Sequence, residues 1–201
     1  MSKNFYPLFI SLLFSRYKHS LLLIQSIIFA CLIVFTINAE ASSADYKLKA
    51  AYIYQFTKFA QWPDFSFDNN TSPIVICVLG DNPFNKTLDS FSSRSSQGRS
   101  LKVRYLAKLE DFSDCHIVFV SKSLKKHLDN ILIKLKNHSV LSVSDIEGFA
   151  MGGGIIGFIK KKRRVGIEIN VNMSKSSGVK LSSKLLEVST LVQGSNVEEA
   201  P

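Results

Sequence analysis

With 201 residues, 46% of them apolar and 20% charged, the chain is long enough for one domain with a sizeable core and lacks the bias that marks disorder. It carries 25 basic against 16 acidic residues, a net charge of +9, which favours acidic partners or anionic surfaces through a salt-sensitive attraction.

The first predicted element is a targeting segment. Arg16, Lys18 and His19 precede an apolar run from Leu21 to Ile37, and Asn38-Ala39-Glu40-Ala41-Ser42 follows it. A basic flank, an apolar stretch and small residues at Ala39 and Ala41 are the parts of a secretory signal peptide, with cleavage expected after Ala41. A retained membrane anchor is the alternative, since the run is at the short end of what spans a bilayer. Either way residues 42–201 form a single domain outside the cytoplasm, in the periplasm of a Gram-negative cell. Residues 1–41 contain Lys3, Arg16, Lys18 and Glu40, so their removal takes three basic residues and one acidic one and leaves +7.

The helix expected over Asp45–Gln61 has Ala51, Tyr54 and Lys58 on one stripe and Ile53, Phe56 and Ala60 on the next. Pro63 ends it through Trp62, because a residue before proline is pushed out of the α region. Asp64–Ser72 reads as a polar loop. Pro73–Leu79 is a continuous β-branched run, hence a buried central strand. Gly80–Phe84 is turn chemistry, with Pro83 suited to the first turn of a helix through Ser90. Leu101, Val103 and Tyr105 alternate with Lys102 and Arg104 as a half-exposed strand. His116–Val120 is a second buried strand. Ser123 opens a helix through Lys136, and Val140–Val143 is a short strand. Ile155–Ile159 and Val165–Ile169 flank Lys160–Arg164 as an antiparallel hairpin, and a terminal helix is expected over Leu181–Val192. The fold class is therefore α/β: a mainly parallel sheet flanked by helices, with a C-terminal antiparallel hairpin and terminal helix.

Cys31 leaves with the targeting segment. Cys77 and Cys115 remain, an even number in an oxidising compartment, which favours a disulfide over two buried thiols. Two cysteines without paired histidines do not make a zinc site, and no metal is expected. His116, His127 and His138 sit beside no nucleophile-and-base pattern, and neither Gly-x-Ser-x-Gly nor His-Glu-x-x-His occurs, so no catalytic residues are assigned. The turn after Gly80 lacks the lysine of a phosphate loop and the spaced glycines of a dinucleotide site, and no cofactor is expected. Gly152-Gly153-Gly154 after Phe149 permits a tight loop or a ligand cradle; Asp145, Gly148, Phe149, Gly152 and Gly153 are its candidate residues, with Glu147 nearby. Lys160–Arg164 reads as a solvated hairpin turn, or else a contact for an acidic partner or a membrane surface. Export removes nucleic acid as its target. Phe59, Trp62, Phe65 and Phe67 straddle the end of the first helix; they either pack in the core or, exposed there, suit a protein interface.

Ordered strings then carry a resemblance. Tyr46–Pro63, Ile76–Gly80, Gly98–Val103, Cys115–Phe119, Val140–Asp145, Gly148-Phe149, Gly152-Gly153, Glu168–Asn170 and Leu181–Leu186 together resemble the YfiR family. The resemblance implies a periplasmic, non-enzymatic repressor that binds the periplasmic region of an inner-membrane diguanylate cyclase, lowering cyclic di-GMP signalling and biofilm formation. It implies an outer-membrane lipoprotein as a sequestering partner and a homodimer as the working form. Cys77 and Cys115 match a cysteine pair that members bond together. Partner contact is expected at Phe59, Trp62, Phe65, Glu168 and Asn170. The competing reading is a small-ligand sensor that acts on another membrane signalling protein through the Asp145–Gly154 loop.

Overall fold

The computed structural model describes residues 43–107, 112–136, 138–162 and 164–194, with Gln25 in addition. The export segment expected over 1–41, with its apolar run and cleavage site, lies outside them. Among the described residues no helix is long and apolar enough to cross a membrane.

Helix α1 covers 43–59. Of its two predicted stripes, the one with Ile53 and Phe56 is fully buried, while Ala51 and Lys58 are exposed. The expected helix stops two residues early, because Ala60–Gln61 form strand β1. Gln97 replaces the missing turn: its Nε2 donates to the Thr57 and Ala60 carbonyls at 2.6 and 2.8 Å, satisfying acceptors that a helix end leaves open.

Strand β2 (Ile74–Leu79) is buried throughout. Ile74, Ile76 and Val78 join the core on one face of the sheet, and Val75, Cys77 and Leu79 the core on the other. A strand covered on both faces has no need to alternate apolar with polar residues, hence the unbroken run. Each fully buried Ile or Phe contributes about 1.5–3 kcal/mol of burial free energy. α1 covers the first face, with Ile53 and Phe56 against Ile76, Phe119 and Phe158 in one cluster.

The segment after β2 is not the expected helix. Asn82 Oδ1 accepts from the Phe84 amide at 2.9 Å and Asn85 has φ +52°, a side-chain turn followed by a left-handed residue. Only a 3-10 turn at Asp89–Phe91 remains. β3 (Ser95–Ser96) and β4 (Arg99–Leu106) complete that side of the sheet. β5 (Ile117–Val120) leads into a 3-10 stretch, Lys122–His127, and then α2 (Leu128–Lys136), whose Ile131, Leu132 and Leu135 cover the second face. β6 (Leu141–Ser144) and the hairpin β7 (Ile156–Lys161) and β8 (Arg164–Asn170) follow as expected.

With Thr190–Val192 as β10, the main sheet runs β10-β8-β7-β6-β5-β2-β4-β3, parallel except at β8–β7 and β4–β3. The α/β reading therefore stands. The terminal helix over Leu181–Val192 is corrected. After α3 (Val171–Ser176), β9 (Lys180–Leu181) pairs with β1, and α4 spans only Ser183–Glu187, capped by Ser182. Thr190–Val192 then form β10 on the open edge of β8, where β-branched residues gain ladder bonds that a helix end does not offer.

Candidate functional site

Three places collect the residues that the sequence singled out. The first lies under the N-terminal ends of the parallel strands. Trp62, expected at an interface, is buried, and its Nε1–H donates to the His116 carbonyl at 2.9 Å. The indole meets the imidazole edge-on, Phe67 stacks on that imidazole at 4.3 Å, and the Arg99 guanidinium lies 3.8 Å above the Phe67 ring. A tryptophan held this way, 8% exposed, has little surface left for a partner, so the interface assignment of Trp62 is corrected: it is core. Asn170 is corrected on the same ground. It is buried, accepts from the Met173 amide to cap α3, and donates to the Ala150 carbonyl at 2.9 Å. Phe59 and Glu168 are half-buried, and Phe65 is 81% exposed.

His116, the first residue of the expected second buried strand, ties three segments together. Its Nδ1 accepts from the Val75 amide, its own amide donates to the Val75 carbonyl, and its carbonyl also takes the Leu141 amide. A Nδ1 that accepts requires the proton on Nε2 in the neutral ring. Burial pushes the imidazole pKa down; the Ser66 backbone opposes that shift without closing a well-formed hydrogen bond to Nε2. His116 and Ser66 line a cleft of about 630 Å³, together with Phe65, Lys102, Arg104 and Asp114. The clue in the sequence was adjacency to Cys115. Cys115 is disulfide-bonded to Cys77, with Cα atoms 5.9 Å apart, joining β2 to the entry of β5.

The second place is the opposite, C-terminal end of the strands. Asp145 follows β6, with its side chain 2% exposed. Its Oδ2 accepts from Lys49 Nζ at 2.6 Å and from the Tyr46 hydroxyl at 2.9 Å, and Lys122 Nζ stands 3.3 Å away. Oδ1 is buried without a partner among the described residues. Burial and the facing carboxylate push the Tyr46 phenol up, so it remains a donor. Lys49 was missed, although the signal was present: it falls at i, i+4 and i+7 with Ile53 and Phe56 on the buried face of α1.

The ligand loop after Asp145 is closed rather than cradle-shaped. The Gly152 and Gly154 amides donate to the Gly148 and Phe149 carbonyls, and the buried Phe149 ring fills the space beside Gly154, where any side chain would collide with it. Gly148 and Gly153 have φ of +74° and +110°, so they serve the turn. Gly80 likewise serves packing: a side chain there would lie 2.7 Å from Ser123 Oγ.

The third place is the tip of the β7–β8 hairpin, where Lys160, Lys161, Lys162 and Arg164 are exposed. Among the described residues, no three His, Cys, Asp or Glu side chains converge as metal ligands would.

Comparison with known proteins adds the following. The sequence pattern of a family described as YfiR/HmsC-like matches residues 46–190. No curated protein matches the chain significantly. Among solved structures, the chain is similar to a ligand-free, open substrate-binding protein with adhesive properties from Clostridium difficile, at 10% identity and a TM-score of 0.45. The similarity covers 61% of this chain and 55% of that one, so this chain spans about half its length.

Proposed function

We propose a function from one premise: the chain belongs to the YfiR/HmsC-like family. That family is regulatory rather than catalytic and periplasmic, and it is tied to membrane diguanylate cyclases. From it we infer that this chain binds the periplasmic region of an inner-membrane diguanylate cyclase and holds it inactive, so that release raises cyclic di-GMP and biofilm formation. The observation that carries this reading is the extent of the match, which takes in both faces of the core and the Cys77–Cys115 bond. The disulfide supports an oxidising compartment and hence export.

Repression by contact needs a surface. Phe65 presents its ring to solvent at the cleft that Ser66 and His116 also line, with Phe59 half-buried and Glu168 half-buried on β8. Exposed aromatics are what interface centres use. Homodimerisation and capture by an outer-membrane lipoprotein belong to the same proposal. The test immobilises residues 42–201 and passes detergent-solubilised inner membranes over them, identifying what is retained by mass spectrometry. Enrichment of a diguanylate cyclase, reduced by Phe65→Ser, is the expected result; no cyclase above background overturns the reading.

The cleft favours a second reading, a ligand sensor, because His116 and Ser66 line it and their Nε2 and hydroxyl find no hydrogen-bond partner among the described residues. Bound ligand raises Tm by mass action, so a thermal-shift screen of periplasmic metabolites checks it. No shift with any of them counts against a sensor.

A further inference from the structure

The β7–β8 hairpin is paired along its whole length, from Ile156↔Ile169 to Lys161↔Arg164. Its neighbours accompany only its base. β6 pairs with Ile156 and Gly157 alone, and β10 with Glu168, Ile169 and Asn170 alone. From Phe158 and Ile167 outward, each strand's ladder partner is the other strand, and the hairpin leaves the sheet as a two-stranded arm. Its root is braced by Phe158, buried against Tyr52 and Phe56 of α1 at ring distances of 6.1 and 5.9 Å. Its tip exposes Lys160, Lys161, Lys162 and Arg164, part of a run of five consecutive cations in the sequence, Lys160–Arg164.

That tip is expensive as mere solvated surface. Lys161 and Arg164 face each other directly across the strands, and like charges so placed destabilise a ladder. None of Lys160, Lys161, Lys162 and Arg164 forms an ion pair among the described residues. Strand alternation points Lys160 with Phe158 to the α1 side and Lys161 with Ile159 to the other, so positive charge fans out around the tip. The run has no aromatic or acidic residue among its five. A fan of cations on a projecting arm matches a plane of anionic headgroups better than it matches a single complementary groove. Each Lys or Arg near such a plane adds attraction, falling off within a Debye length.

We propose that the β7–β8 arm is a membrane-surface contact, its exposed Lys160, Lys161, Lys162 and Arg164 resting on anionic phospholipid headgroups. The proposal does not depend on the regulatory reading above; it requires only that the chain work beside a bilayer. Residues 42–201 carry both cores and the disulfide, so this segment is the protein to test.

The experiment is co-sedimentation with vesicles of phosphatidylglycerol and phosphatidylethanolamine, with phosphatidylcholine vesicles as the neutral comparison, at low and high salt. The unmodified protein is expected to sediment with the anionic vesicles only, and salt is expected to release it. Replacing Lys160, Lys161, Lys162, Arg163 and Arg164 by Ser should weaken that binding roughly tenfold or more. Replacing five exposed lysines elsewhere, Lys47, Lys125, Lys126, Lys175 and Lys184, by Gln removes the same charge and should weaken it far less. An unchanged melting temperature in both variants shows that the fold is intact. Equal losses in the two variants would reduce the effect to net charge and overturn the proposal. So would sedimentation with neutral vesicles, or no binding to anionic vesicles at low salt; in that last case an acidic protein surface becomes the occupant to seek.

Discussion

Lys49 Nζ lies 2.6 Å from Asp145 Oδ2, a buried ion pair joining the first turns of α1 to the C-terminal end of β6. The Lys49 side chain is 10% exposed and that of Asp145 2%, so water screens the pair little. Removing one partner from such a pair strands the other in a low-dielectric site. Lys49→Met should therefore lower unfolding free energy by about 3 kcal/mol, measured by urea denaturation. A loss within a few tenths would show that Tyr46 and Lys122 suffice to hold the carboxylate.

Trp62 separates core from interface. Trp62→Ala should cost about 3–5 kcal/mol by removing a buried ring and its bond to the His116 carbonyl. Trp62→Phe should recover part of that loss. If Trp62→Ala melted like the parent yet bound its partner poorly, the indole would have to face outward in solution.

Phe65 gives the opposite expectation. At 81% exposed it packs on little, so Phe65→Ser should leave stability within about 0.5 kcal/mol. Partner binding should weaken, read by titration calorimetry against the cyclase's periplasmic region.

His116 makes stability depend on pH. Its folded pKa lies below the ordinary 6.5 because burial disfavours the imidazolium. The unfolded chain then takes the proton first, so this contribution is present above about pH 6.5 and is lost as pH falls through the folded pKa. The denaturation midpoint should drop on acidification less steeply in His116→Gln than in the parent. Direct NMR titration of the ring should find it neutral below the midpoint of an exposed histidine.

The disulfide closes a 38-residue separation. By chain entropy, Cys77→Ser with Cys115→Ser should cost about 4 kcal/mol. Urea denaturation of the parent with and without reductant should show a loss of the same order.

Much of the fold was legible because local pattern and final environment agree. The unbroken Ile74–Leu79 run announces a strand covered on both faces, and both faces are covered. The hairpin was legible from two apolar segments around a charged turn. Legibility failed where a distant partner decided the outcome. Leu181–Val192 has enough Leu for a helix, but the free edge of β8 claims Thr190–Val192. Pro83 favours a helix start, but the Asn82 side chain captures the Phe84 amide first. Trp62 beside Pro63 looked exposed, because nothing in its neighbourhood names His116 as the acceptor. Lys49 and Asp145 are 96 residues apart, and only the cation on a buried stripe hinted at the pair.

The regulatory claim is tested most directly in the cell of origin, by deleting the gene and measuring cyclic di-GMP by mass spectrometry. The account predicts that the level rises, and that it returns when residues 1–201 are supplied. A level unchanged by deletion, in cells shown to express the protein, would contradict it.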